Sequence, residues 1–220
     1  MARDSIWPFR TVLDPIERIS EVLFGLIMVL TITSTFSVVG ADRVSVGAMI
    51  VAALGCNLAW GIIDGGLYLL ANLEDRAKNL LAAHAVRRTS DPEEAKRIIA
   101  DALPSVVASA LPPEQFERIR QDVLRMPEPP PHPNLTKADW LGAFAVCLVV
   151  FFSTFPVVLP FLFTDDVRFA LRLSNLMAIV MLFACGYAFG RCTGYRPWTM
   201  GIVMVLIGIA LTGVAILLGG

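Results

Sequence analysis

Apolar residues run along the chain in five long blocks, separated by short polar turns and by one extended polar segment. The blocks cover approximately residues 20–40, 46–72, 140–163, 169–190 and 199–218. A helix crossing a bilayer needs roughly 17 to 25 such residues, so the pattern predicts five transmembrane helices. The polar segment between the second and third, residues 73–139, predicts helices of its own. In Ser90-Asp91-Pro92-Glu93-Glu94, Asp91 is placed to cap a helix, Pro92 suits its first position, and Glu94 is the acidic residue three after the cap. Ile98, Ile99 and Leu103 then form an apolar stripe. A second start at Leu111-Pro112-Pro113-Glu114 is followed by Phe116, Ile119, Val123 and Leu124 at helical spacing. No Gly or Pro stops the second block between Leu73 and Arg88, so that helix is expected to continue beyond the membrane. The run from Pro127 to Pro133 cannot be helical and reads as a semi-rigid linker.

The fold class expected is therefore all-α: a polytopic membrane protein of five transmembrane helices with a small helical insert. Its parts are residues 1–72 (N-terminal segment and the first two spans), 73–139 (insert and linker) and 140–220 (the last three spans). Composition agrees, with 56% hydrophobic and 17% charged residues, where a soluble domain is nearer half apolar and a quarter charged. With 18 Lys and Arg against 19 Asp and Glu, the net charge is −1, which excludes nucleic acid as a partner because a phosphate backbone needs clustered basic residues. Ten of the 18 basic residues lie within 73–139. With alternating spans this bias places the N-terminus and the insert in the cytoplasm, and a bacterial inner membrane is the expected location. The four cysteines are scattered singly, so neither a disulfide framework nor a zinc site is expected. No phosphate-binding glycine loop, HExxH or GxSxG pattern is present in the sequence, and an enzyme is not expected.

Asp64 is the acidic residue of greatest interest, about eight residues inside the second block and hence roughly 12 Å from its end. An aspartate there costs on the order of 2.5 to 3.5 kcal/mol on insertion scales, so it must face the bundle interior or a wet cavity. It is either a hydrogen-bonded packing group or an ion or proton site. Asn57, Gly61, Asp64 and Tyr68 follow steps of 4, 3 and 4, which puts a polar, pathway-lining stripe on one helical face. On the first helix Glu21, Gly25, Met28 and Thr35 share a face. Glu21 is an interfacial charge or the mouth of a pathway, and Met28 is a packing residue or a soft thioether ligand. In the insert, Glu114 and Glu117 share a face and form a weak candidate metal patch, although Arg118 and Arg120 stand beside them.

Several stretches resemble the vacuolar iron transporter family. Glu21-Val22-Leu23-Phe24-Gly25 looks like the start of that family's first helix, and Ala59-Trp60-Gly61-Ile62-Ile63-Asp64-Gly65 is similar to its second-helix Ser-Met-Ala-x-Gly-Glu-Tyr pattern, with Asp64 at the glutamate. Ser90 to Ala95 looks like a cytoplasmic helix start, and Phe152 to Phe161, with its prolines, looks like the third helix. The family's intramembrane aspartate falls at Met28 here, its second-helix methionine falls at Trp60, and Ala77 to Arg88 holds no acid where the family has a glutamate-rich helix.

The resemblance implies a homodimer that exports Fe²⁺ or Mn²⁺ from the cytoplasm in exchange for protons. The ions would be cargo rather than permanently bound cofactors. Glu21 would stand at the cytoplasmic mouth of the path, Asp64 within it, and Met28, Glu114 and Glu117 would be further candidate ligands. A carboxylate attracts a divalent ion and releases it on protonation, which couples the two movements. The departures at Met28 and in the insert motivate a second expectation, a transport-inactive relative serving as a scaffold or accessory subunit. Either one leaves residues 73–139 free to dock a membrane-protein or soluble partner.

Overall fold

The computed structural model describes residues 15–39, 46–164 and 166–217. They form ten helices: α1 (Pro15–Val39), α2 (Val46–Arg88), α3 (Pro92–Ala102), α4 (Ser105–Ala110), α5 (Pro113–Arg125), α6 (Lys137–Ser153), α7 (Phe155–Val158), α8 (Pro160–Phe163), α9 (Val167–Thr193) and α10 (Pro197–Leu217). No strand occurs among the described residues. Two compact units result, one within Met1–Tyr68 and Trp140–Gly220, the other Leu69–Asp139.

The first unit is built for lipid. Among the described residues, α2, the stretch Lys137–Phe163, α9 and α10 are each long and apolar enough to span a membrane, and α1 supplies a further apolar helix. Their apolar side chains are not confined to a buried face: Val51, Ile62 and Leu67 on α2, and Ile202 and Leu206 on α10, are exposed. Helices apolar all round are stable only where the surroundings are apolar too, so this is an integral membrane protein.

Within this unit α1 packs against α9 and α10, and α9 also packs on α7 and α8. The core joins Leu23, Leu26, Val29 and Leu30 of α1 to Ala53, Val157, Val158, Ala178 and Leu182. Near the far end of α1, Thr33 Oγ1 donates to Asn175 Oδ1 on α9 at 2.7 Å. Asp166 caps α9 by accepting from the amides of Arg168 and Phe169, and Gly194 ends it at φ 78°, a left-handed conformation that glycine adopts without a Cβ penalty. Asp166, exposed in the loop before α9, thus has a defined capping role; its neighbour Asp165 lies outside the described residues.

The third span, expected as one helix, is broken. Pro156 has no amide hydrogen to give the carbonyl of Phe152, and Pro160 repeats the defect four residues on. The chain responds with two tighter bonds spanning three residues, from the amide of Thr154 to Phe151 O and from that of Val157 to Thr154 O, which also accepts the ordinary helical bond from Val158. The result is three helical pieces, α6, α7 and α8, with Thr154 at the first break.

α2 is a single helix of 43 residues, as the lack of a breaker predicts. At 1.5 Å per residue it is about 65 Å long, over twice the thickness of a bilayer's hydrocarbon, so it has to leave the membrane. Its C-terminal part belongs to the second unit. There Val86 packs with Ile99 of α3 and Phe116 of α5, surrounded by Ile98, Leu103, Leu111, Ile119 and Val123. Leu124, expected in the buried stripe, is instead 40% exposed, because Phe116, Ile119 and Val123 already fill the facing side of α5. Asp91 caps α3 as expected by accepting from Glu93 N. Glu94 reaches the hydroxyl of Thr89 at 2.5 Å, where a capping box would have turned it toward the cap's own amide.

Side chains of α2 also tether the segments that follow. Arg87 Nη1 donates to the carbonyls of Val123 and Met126 at 2.8 and 2.9 Å, which satisfies free acceptors at the end of α5. His84 Nε2 lies 3.3 Å from Pro130 O in the non-helical proline run. Arg76 binds Asn134 O at 2.5 Å and Asp139 at 2.7 and 2.8 Å, while Thr136 donates to Asp139 through both its amide and its hydroxyl.

Candidate functional site

The candidate residues of the first unit lie where α1, α2 and α6 come together. Close approach of α2 to α6 is permitted by small residues. A Cβ placed on Gly61 would come 2.8 Å from the carbonyl oxygen of Cys147 and 3.2 Å from its Cα, so only glycine fits there. Trp60 stacks edge-on against Phe24 of α1, with ring centroids 5.3 Å apart, and its side chain hydrogen-bonds Cys56.

At the junction itself Asn57 is fully buried. Its Nδ2 donates to Gly25 O on α1 at 3.1 Å and to Thr154 Oγ1 at the break after α6. Gly25 has no side chain because Ser153 Oγ occupies the place where one would go, and Val150 O lies 3.1 Å from the same position. Ser153 Oγ in turn donates to Val150 O at 2.7 Å. The importance of Ser153 and Thr154 is the main feature that the sequence pattern did not single out. Two adjacent hydroxyls, three and two residues before a proline in an otherwise apolar run, are the signal that marks them.

These contacts set the depth of the other candidates. The pairs Phe24–Trp60 and Gly25–Asn57 make α1 and α2 antiparallel. Glu21 therefore lies about 6 Å from the junction toward the C-terminal end of α2, and Asp64 about 10 Å in the same direction. Met28 lies about 4.5 Å to the other side. The fold thus puts Glu21 and Asp64 within about 5 Å of each other in depth, on neighbouring helices. Both side chains are partly buried, and Glu21 makes interactions of its own. Asp64 Oδ2 is enclosed and has no hydrogen-bond partner. Tyr68, one further turn along, lies against Gly142 at the start of α6 and is also partly buried. Among the described residues, no three His, Cys, Asp or Glu side chains gather closely enough to hold a metal ion. Any ion at Asp64 would have to draw on Glu21, neutral oxygens or water.

The insert candidates lie elsewhere, on α5. Glu114 is exposed. Glu117 engages Arg120 through both carboxylate oxygens at 2.8 Å and accepts a further bond from Gln121 at 3.1 Å. The bonds from Arg120, then from Gln121, hold the Glu117 carboxyl at about 2, well below 4.5. Its lowered value means the pair supports the fold fully above pH 4.5, and that support is lost as the pH falls from there through about 2. A carbon-detected NMR titration should find Glu117 half-protonated near 2 in the native chain, and nearer 4.5 in Arg120→Gln.

In the comparison with protein-family models, the model of the VIT (vacuolar iron transporter) family matches residues 32–220, most of the chain. No curated protein matches it.

Proposed function

The chain belongs to the VIT family, and from that premise we propose that it exports divalent metal, Fe²⁺ or Mn²⁺, from the cytoplasm in exchange for protons. Membrane metal-ion transport is the activity of the family as a whole. The observation that carries the finer reading is the unpartnered, enclosed Oδ2 of Asp64, level with Glu21 on the neighbouring helix. A carboxylate oxygen left without a donor inside an apolar unit is costly unless a cation or a proton visits it. Alternate occupancy by a metal and by protons is the exchange an antiporter performs.

In this reading Asp64 and Glu21 together receive and bind the ion near the cytoplasmic end, with Asp64 about 4.5 Å nearer that end than Glu21. The face of Asn57, Gly61 and Tyr68 borders its route, and Met28 offers a thioether further out. The insert and the N-terminus are cytoplasmic, the membrane is a bacterial inner membrane, and two copies associate. Glu114 can collect ions weakly, whereas Glu117 would first have to leave Arg120. Reconstituted protein with a pH dye trapped inside the vesicles tests the proposal. Mn²⁺ entry should be accompanied by proton movement in the opposite direction, and absence of Mn²⁺ flux would refute it.

The scaffold reading is supported by one observation, the lack of a three-ligand cluster among the described residues. It predicts a stoichiometric partner on purification from native membrane, where the transporter reading predicts a homodimer.

A further inference from the structure

We propose that the side-chain oxygen of Asn57 is a cation-binding station at the junction of α1, α2 and the break after α6, where a partly hydrated divalent ion pauses between the level of Asp64 and that of Met28. The proposal deepens the transport reading and rests on it.

The orientation of the Asn57 amide is dictated by its partners. A backbone carbonyl can only accept, so the group facing Gly25 O must be the Nδ2 donor. The second Nδ2 hydrogen goes to Thr154 Oγ1. Both amide hydrogens are then used, and Oδ1 is left buried with no donor. The neighbouring groups are committed elsewhere: Ser153 Oγ donates to Val150 O, and the Thr154 amide to Phe151 O. Burying a carbonyl-type oxygen without a replacement for its lost water is unfavourable, so an external group is expected to satisfy it.

Water or a cation would serve, and a second feature favours the cation. Asp64 Oδ2, the other enclosed oxygen without a donor on α2, lies seven residues further along. Seven residues of α-helix return to within about 20° of the same face and advance about 10 Å. Two donorless oxygens in line along one helix face suit an ion that is shedding its hydration shell. Ser153 and Thr154 add neutral hydroxyl oxygens beside Asn57, at a point where the backbone is no longer regular helix. Neutral oxygens hold a divalent ion more loosely than a carboxylate does, so the ion can leave again, which a transport path requires.

Exchanging the hard oxygen for a soft sulfur provides the test. In the full-length chain with its four native cysteines replaced by alanine, Asn57→Cys is compared with its cysteine-free parent. Uptake of Cd²⁺ and of Mn²⁺ into proteoliposomes is measured separately, together with equilibrium binding of each ion to the purified protein. Thiolate prefers the softer ion, so the Cd²⁺ to Mn²⁺ uptake ratio is expected to rise about tenfold. A purely structural role for Asn57 would lower both fluxes and leave the ratio unchanged, and so would a resident water; that result overturns the station. A parent that carries neither ion sinks the transport reading itself. The binding measurement then decides the station alone, with Cd²⁺ affinity raised about tenfold supporting it and unchanged affinity overturning it. Should Asn57→Cys fail to fold, Asn57→Asp replaces it, with Mn²⁺ affinity expected to rise by a similar factor and an unchanged affinity counting against the proposal.

Discussion

Asp64→Asn should reduce the initial rate of Mn²⁺ uptake into proteoliposomes by at least about 100-fold, because loss of a ligand's outer-shell partner alone costs 10- to 100-fold at metal sites. Asparagine nearly matches aspartate in shape, so the packing of α2 against α6 at Gly61 is undisturbed. What disappears is the negative charge and the ability to exchange a proton for a metal. Stability should move the other way. An enclosed carboxylate oxygen without a donor destabilises the fold, and a neutral amide removes a charge whose membrane cost is on the order of 2.5 to 3.5 kcal/mol on insertion scales. A thermal midpoint in detergent that stays level or rises, alongside lost flux, is the signature of a functional group held at the expense of stability. Unchanged flux, or a marked fall in the midpoint, would make Asp64 a packing residue.

The second large effect concerns the insert. Phe116→Ala removes the largest side chain from the small core shared by Val86, Ile99 and Phe116. Truncating a buried phenylalanine costs about 3–5 kcal/mol, and this core is too small to absorb that loss by repacking. Backbone amides of α3 and α5 should exchange hydrogen faster by two to three or more orders of magnitude on that basis, measured by mass spectrometry on the full chain. Exchange in α9, which belongs to the other unit, should not change. If α3 and α5 retained their protection, Phe116 would not be the keystone of this core.

Much of the fold was legible because the signals are local. A 43-residue helix without proline, a cap at Asp91 and apolar blocks of membrane-spanning length depend only on neighbours in sequence. The break after Ser153 was half-visible: Pro156 and Pro160 stand in the sequence, yet length and hydropathy alone read one span. Leu124 was misplaced because spacing shows which residues share a face, but not how much of that face its neighbours already cover.

The candidate site divides along the same line. The sequence by itself determined that Asp64 lies inside an apolar helix and that Asn57 shares its face, since helical periodicity is enough for both. Only the tertiary structure decided that Glu21 comes level with Asp64, that Gly25, Ser153 and Thr154 enclose Asn57, and that the Asn57 oxygen has no donor. It also decided that Glu117 is engaged by Arg120 through both oxygens. The reason is physical: an ion site depends on which lone pairs remain unmet once helices distant in sequence have packed. That remainder is fixed by crossing points such as Gly25 on Asn57 and Gly61 on Cys147, which periodicity along one helix does not contain.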